Sequence, residues 1–181
     1  HMPFPVLGVI NAGARAAIKE TKRNEIVVLA TEGTIKSGAY EEAVKSLSTK
    51  ATVIPLACPT FVPLVESGEY EGQFSYDLVA RGLKPIENER FDTVILGCTH
   101  YPILQKQIEA AVGPDVHVLS SAQETAKDVE SILSFKGQLR TEKEPPKHMF
   151  HASGSVPIFR SIAERWLEQG TIDLHKISFE K

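Results

Sequence analysis

The chain has 181 residues, 42% hydrophobic and 24% charged, an ordinary globular balance, and is long enough to bury roughly 70% of its unfolded surface. A net charge of −3 and a pI of about 6.1 argue against nucleic acid or an anionic membrane as its main partner. No apolar run approaches the ~20 residues of a membrane span, the opening lacks a basic leader with an apolar core, and the two cysteines read as free thiols of a reducing cytoplasm.

His1-Met2 reads as a cloning remnant and stands outside the fold. An apolar run at 5–10 predicts a strand, and a helical pattern follows over 12–22. The same alternation continues with strand 26–30 and helix 37–47, then strand 52–57 and helix 73–83. Strand 93–97 leads to helix 103–112, and strand 116–120 to helix 125–134. A polar connection at 136–147, with Pro145-Pro146 inside it, reads as a surface segment. Strand 149–152, helix 157–168 and strand 175–178 close the chain. In that last helix Ile158, Ile162, Arg165 and Trp166 recur at spacings of three and four, the pattern of an amphipathic helix on a core. The order predicts an α/β fold of one or two domains, a mostly parallel sheet with helices on both faces. There is no internal repeat.

In open α/β sheets, ligands sit beyond the carboxyl ends of the strands. Three segments fall there, at 31–37, 58–60 and 98–101, and are expected to share one rim. The last lies in "GCTHYP" at 97–102, which sets Cys98 two residues from His100 behind the buried-strand run Thr93-Val94-Ile95-Leu96. Pro102 marks a helix start, and a thiol near a helix N-terminus is favoured as thiolate. As a plain structural feature, Cys98 is a small buried hydrophobe and His100 a satisfied backbone partner. The spacing alone leaves these two readings open.

Metal binding is disfavoured, because Cys-x-His gives two ligands and neither Cys58 nor His117 completes a metal spacing. A thiol hydrolase with Cys98 as nucleophile and His100 as base is a further option. Thr31-Glu32-Gly33-Thr34 suits a carboxylate or phosphate, or is an ordinary helix cap. No GxxxxGK[ST] phosphate loop is present. Glu66 reads as a solvated helix-end carboxylate and Cys58 as a structural thiol.

Taken together, "VLGVINAGARAAIK" (6–19), "TEGTIKSGAY" (31–40), "LACPTFVPLVESGEY" (56–70), "TVILGCTHYPIL" (93–104) and "FHASGSVPIFRSIAERWL" (150–167) resemble the glutamate racemases. These belong to the cofactor-independent aspartate/glutamate racemases. The resemblance implies an isomerase that interconverts L- and D-glutamate without cofactor or metal, supplying D-glutamate for peptidoglycan and hence cell-wall biogenesis and cell shape. It implies two cysteines on opposite faces of the substrate α-carbon, one removing the proton and the other delivering one. Carried over by position, Cys98 matches the second catalytic cysteine, His100 the histidine assisting it, and Glu66 the acidic residue orienting that histidine. Thr34 and Thr99 match substrate-binding hydroxyls, with the backbone N–H groups of Thr99 and His100 nearby; Cys58 has no catalytic counterpart. The only partner implied is the small molecule glutamate; oligomeric state varies in the family, and a homo-oligomer fits it.

The family's Asp-Ser-Gly, Pro-Tyr-Gly and Cys-Asn-Thr motifs do not occur here, and Ser121-Ala122-Gln123 stands where glycine and an acidic residue are common. The chain is therefore expected to begin roughly a third of the way along a two-domain racemase. Residues 8–118 then form one complete domain, and 119–181 the C-terminal segment that returns to the first. Such a chain is expected to be inactive alone. The alternative is a non-catalytic module, binding a small anion or a partner, derived from half a racemase; an aspartate racemase is a further option.

Overall fold

Four of the five residues 26–29 and 30 are β-branched or leucine, and in the computed structural model, which describes residues 4–168 and 170–179, all five are buried. They form β1 (Glu25–Ala30), flanked by β2 (Thr52–Ala57) and β3 (Thr93–Leu96), with β4 (His117–Ser120) beyond β3. The order β2-β1-β3-β4 is parallel throughout, with Ala30 opposite Ala57, Leu29 opposite Leu96, and Leu96 opposite Ser120. Full burial of a valine or leucine side chain contributes about 1.5–3 kcal/mol, so β1 and β3 anchor the sheet. Edge strand β2 is half-exposed and carries Pro55, which an edge position tolerates.

Alternate side chains serve opposite faces. Ile26, Val28 and Ala30 pack with Ile95 against α1 (Val9–Glu20) and α3 (Ala39–Leu47), through Ala14, Ala17, Tyr40 and Val44. On α1's flank lies α7 (Ser121–Phe135), joined to it by an Arg15–Asp128 ion pair. The other face receives α4 (Phe61–Ser67), α5 (Gln73–Leu83) and α6 (Gln105–Val112), which bury Phe61, Val65, Val79 and Ile108.

Several boundaries differ from the sequence reading. The expected strand at 5–10 is absent: residues 5–8 pair with no strand, Phe4 and Val6 are exposed, and α1 begins at Val9. The run Ala12–Ala17 prefers helix, and apolar residues without a sheet partner have no reason to extend. The helix expected at 37–47 is α3, which begins at Ala39, and an unexpected short helix, α2 (Glu32–Lys36), precedes it, the two separated where Gly38 adopts φ +67°. Helix α7 starts four residues earlier than expected, where the Ser120 hydroxyl accepts from the N–H of Gln123 at 3.4 Å. Helix α4 went unassigned in the sequence, since its seven residues span too few turns to show a period.

The chain divides into two compact units, one ending at Leu139 and one beginning at Arg140. The sequence-based boundary at 118 falls inside the first, because α7 packs on α1. The second unit pairs β5 (Met149–Ala152) in parallel with β6 (Asp173–Lys176), which begins and ends two residues earlier than the strand expected at 175–178. Between them α8 (Val156–Trp166) is tied to the strand by Arg160, which donates to Glu164 and to the Ile172 carbonyl at 3.0 Å each. The amphipathic pattern of α8 buries none of its residues fully, and Ile158 is exposed.

Candidate active site

The strand order reverses direction between β1 and β3, the switch point at which open α/β sheets hold ligands. Beyond those two carboxyl ends lie Thr31 and Gly97-Cys98. The Gly97 N–H donates to the Leu29 carbonyl at 2.8 Å and the Cys58 N–H to the Ala30 carbonyl at 3.0 Å. All three expected segments therefore meet on one rim. Gly97 must be small: a Cβ there would lie 3.0 Å from Tyr40 Cε2, 3.1 Å from the Leu29 carbonyl oxygen and 3.2 Å from Ala30 Cβ.

Cys98 follows this tight approach and is half-buried. Its Sγ lies 3.8 Å from His100 Nδ1, and Thr99 Oγ1 lies 3.3 Å from the same nitrogen. On the far side of the ring, His100 Nε2 is 3.3 Å from Glu66 Oε1 at the end of α4. A carboxylate at Nε2 favours the proton on that nitrogen and leaves Nδ1 as the acceptor. The chain of atoms Sγ, Nδ1, Nε2, Oε1 thus has the order that lets a thiol pass its proton to an imidazole steadied by a carboxylate. The expected helix start at Pro102 is a 3₁₀ turn (Tyr101–Leu104), and α6 begins at Gln105.

Cys58 differs in every respect. Its thiol is 1% exposed, points to the Leu56 carbonyl at 3.8 Å, and is pushed by burial up to about 12. Thr34 lies in α2, its hydroxyl 3.2 Å from that of Thr31. Two buried tyrosines flank the Cys98 turn. Tyr40 bonds the Ser121 hydroxyl at 2.9 Å, and Tyr101 donates to the Cys58 carbonyl at 3.0 Å. Burial raises both phenols, and negative charge on Cys98 raises them further. Both stay protonated. Among the described residues, no group of three or more His, Cys, Asp or Glu is arranged to hold a metal ion.

The Asp/Glu/hydantoin racemase family model matches residues 1–129. A glutamate racemase of Lysinibacillus sphaericus is 73% identical over 180 residues, 99% of this chain and 68% of that protein. The chain belongs to the glutamate racemase family. A Bacillus anthracis glutamate racemase crystal structure matches at TM-score 0.90 and 44% identity, covering 98% of this chain and 66% of that one. The Francisella tularensis glutamate racemase in complex with D-glutamate matches at TM-score 0.85 and 28% identity, covering 97% and 65%. The chain thus spans about two thirds of the length of the glutamate racemases it matches.

Of the residues singled out in the sequence, the fold joins Cys98, Thr99, His100 and Glu66 by direct contacts. Thr34 shares the rim by strand register but contacts its own loop. The sequence reading assigned nothing to Tyr101, Tyr40 or Phe61. An aromatic residue beside a strand-end motif was the available signal, but its hydroxyl partner, 43 positions away, was invisible.

Proposed function

We propose that this chain supplies one proton-transfer face of a cofactor-independent glutamate racemase, with Cys98 as the acid/base thiol. The observation that carries the reading is the contact series from Cys98 through His100 to Glu66 at a topological switch point. Glu66 accepts from His100 Nε2–H, His100 Nδ1 takes the thiol proton, and the Cys98 thiolate removes the substrate α-proton. For the opposite direction, the protonated Cys98 thiol returns a proton to the same face. The hydroxyls of Thr34 and Thr99, with the N–H groups of Thr99 and His100, hold the substrate carboxylate while charge develops beside it. A second acid/base group must act from the other face. The product, D-glutamate, serves peptidoglycan synthesis, and the reaction is placed in the cytoplasm.

The test joins this chain to the remaining third of the Lysinibacillus sphaericus racemase, the part it does not span. The fused enzyme should racemise glutamate. Cys98→Ala should lower turnover by at least ~10²–10⁴-fold, the usual contribution of a positioned acid/base group, and Glu66→Gln by roughly 10–100-fold through loss of His100 orientation. Racemisation that survives Cys98→Ala would reject the assignment.

A further inference from the structure

We propose that Tyr101 is a positioning residue that holds Glu66 against His100, an inference that rests on the proposed role of the Cys98–His100–Glu66 series. His100 sits on the turn after β3, whereas Glu66 ends α4, which follows β2. Strands β2 and β3 are not neighbours, because β1 lies between them. The 3.3 Å contact between Glu66 and His100 therefore depends on whatever spans that gap.

Tyr101 spans it. Its backbone follows His100 directly, and its side chain is wholly buried. The hydroxyl donates at 3.0 Å to the carbonyl of Cys58, three residues before α4 begins. Its ring meets Phe61, the first residue of α4, edge-on at a centroid separation of 5.3 Å. The Cys58 N–H is in turn fixed to the Ala30 carbonyl at the end of β1. A phenol that keeps its proton is suited to this task, since it donates over the whole working pH range. Histidine and glutamate are thus set by one side chain that need not touch substrate.

Tyr101→Phe removes the hydrogen bond and keeps the ring. The readout is the rate of Cys98 alkylation by iodoacetamide in the 181-residue chain at neutral pH, measured with and without Glu66→Gln. In the parent chain Glu66→Gln should slow Cys98 alkylation roughly 3- to 10-fold, because His100 loses the carboxylate that orients its ring toward the thiol. In the Tyr101→Phe background the same change should matter less than about twofold, a coupling of the size found between residues of one network. Cys58 must stay unreactive in every variant, which shows that the fold persists. Phe61→Leu, which weakens the ring contact and leaves the hydrogen bond, should retain the Glu66 dependence. An equal Glu66 effect with and without the Tyr101 hydroxyl overturns the inference, as does loss of that effect in Phe61→Leu as well. No Glu66 effect in the parent chain rejects the proton series itself, and the role of Tyr101 with it.

Discussion

At the residue scale, two thiols on one rim are separated by burial. Cys98 is half-buried beside an imidazole, whereas Cys58 is fully buried and its thiol is pushed by burial up to about 12. Thiolate is the alkylating species, so Cys98 should label first across pH 6–10, with Cys58 silent until the pH nears its own value or the chain opens. Peptide mapping after timed iodoacetamide treatment reads both sites, and faster labelling of Cys58 in the folded chain would reverse the assignment. Cys98 and His100 stood out because GCTHYP sets them two positions apart behind a buried strand, a spacing that left a structural reading open, and Thr99 took a role only through the family resemblance. Glu66 was legible only through the family resemblance, since its own context reads as a solvated helix end. Tyr101 was hidden because its hydrogen bond closes a gap between non-adjacent strands, a relation that no local spacing encodes.

At the scale of elements, Asp92 fixes the approach to β3. Its carboxylate accepts from the Thr21 hydroxyl at 2.6 Å, the N–H groups of Lys22 and Arg23 at 2.7 and 2.9 Å, and the Thr93 hydroxyl at 3.1 Å. Burial alone would raise this carboxyl, but the four hydrogen bonds outweigh it and hold it below the ordinary value of 3.8. A depressed folded value means stability that is present above the unfolded value and lost as pH falls through the folded one. Below about pH 4 the α1–β1 junction should therefore weaken, with carboxylate protonation as the cause. Asp92→Asn should destabilise by about 1–3 kcal/mol at neutral pH, as charged acceptor bonds are lost, and should flatten the pH dependence of urea unfolding between pH 3 and 5. An unchanged pH dependence would remove Asp92 from this role. The strands 26–30 and 52–57 were readable because their apolar runs are short and bounded. The segment at 5–10 is also an apolar run, but residues 5–8 pair with no described strand and Val9 and Ile10 open α1, so pairing rather than propensity decides extension.

At the scale of the whole molecule, exposed apolar side chains and the placement of the two thiols each lead to a prediction. Met149, Ile158, Leu167 and Phe179 of the second unit are exposed, as are Phe4, Val6 and Phe135 of the first. Apolar side chains drive association where they form a contiguous patch, and if those of either unit do so, sedimentation velocity should show concentration-dependent self-association; a single compact monomer at every concentration would contradict this. Activity is limited by a separate constraint. Inversion at the α-carbon needs an acid/base group on each face, and the chain has two cysteines. Cys58 is a poor second donor or acceptor, being 1% exposed, held near the Leu56 carbonyl, and on the same rim as Cys98 by the register of β1 with β2 and β3. Loss of one such group costs at least ~10²–10⁴-fold. The 181-residue chain alone, incubated with D- or L-glutamate in deuterated water, should show neither racemisation nor useful α-proton exchange by NMR. One-sided exchange without inversion, abolished by Cys98→Ala, would mean that a single thiol face suffices to ionise the substrate. Full racemisation that requires both Cys98 and Cys58 would mean that the buried thiol reaches the opposite face, and the two-face argument made from this geometry would fail.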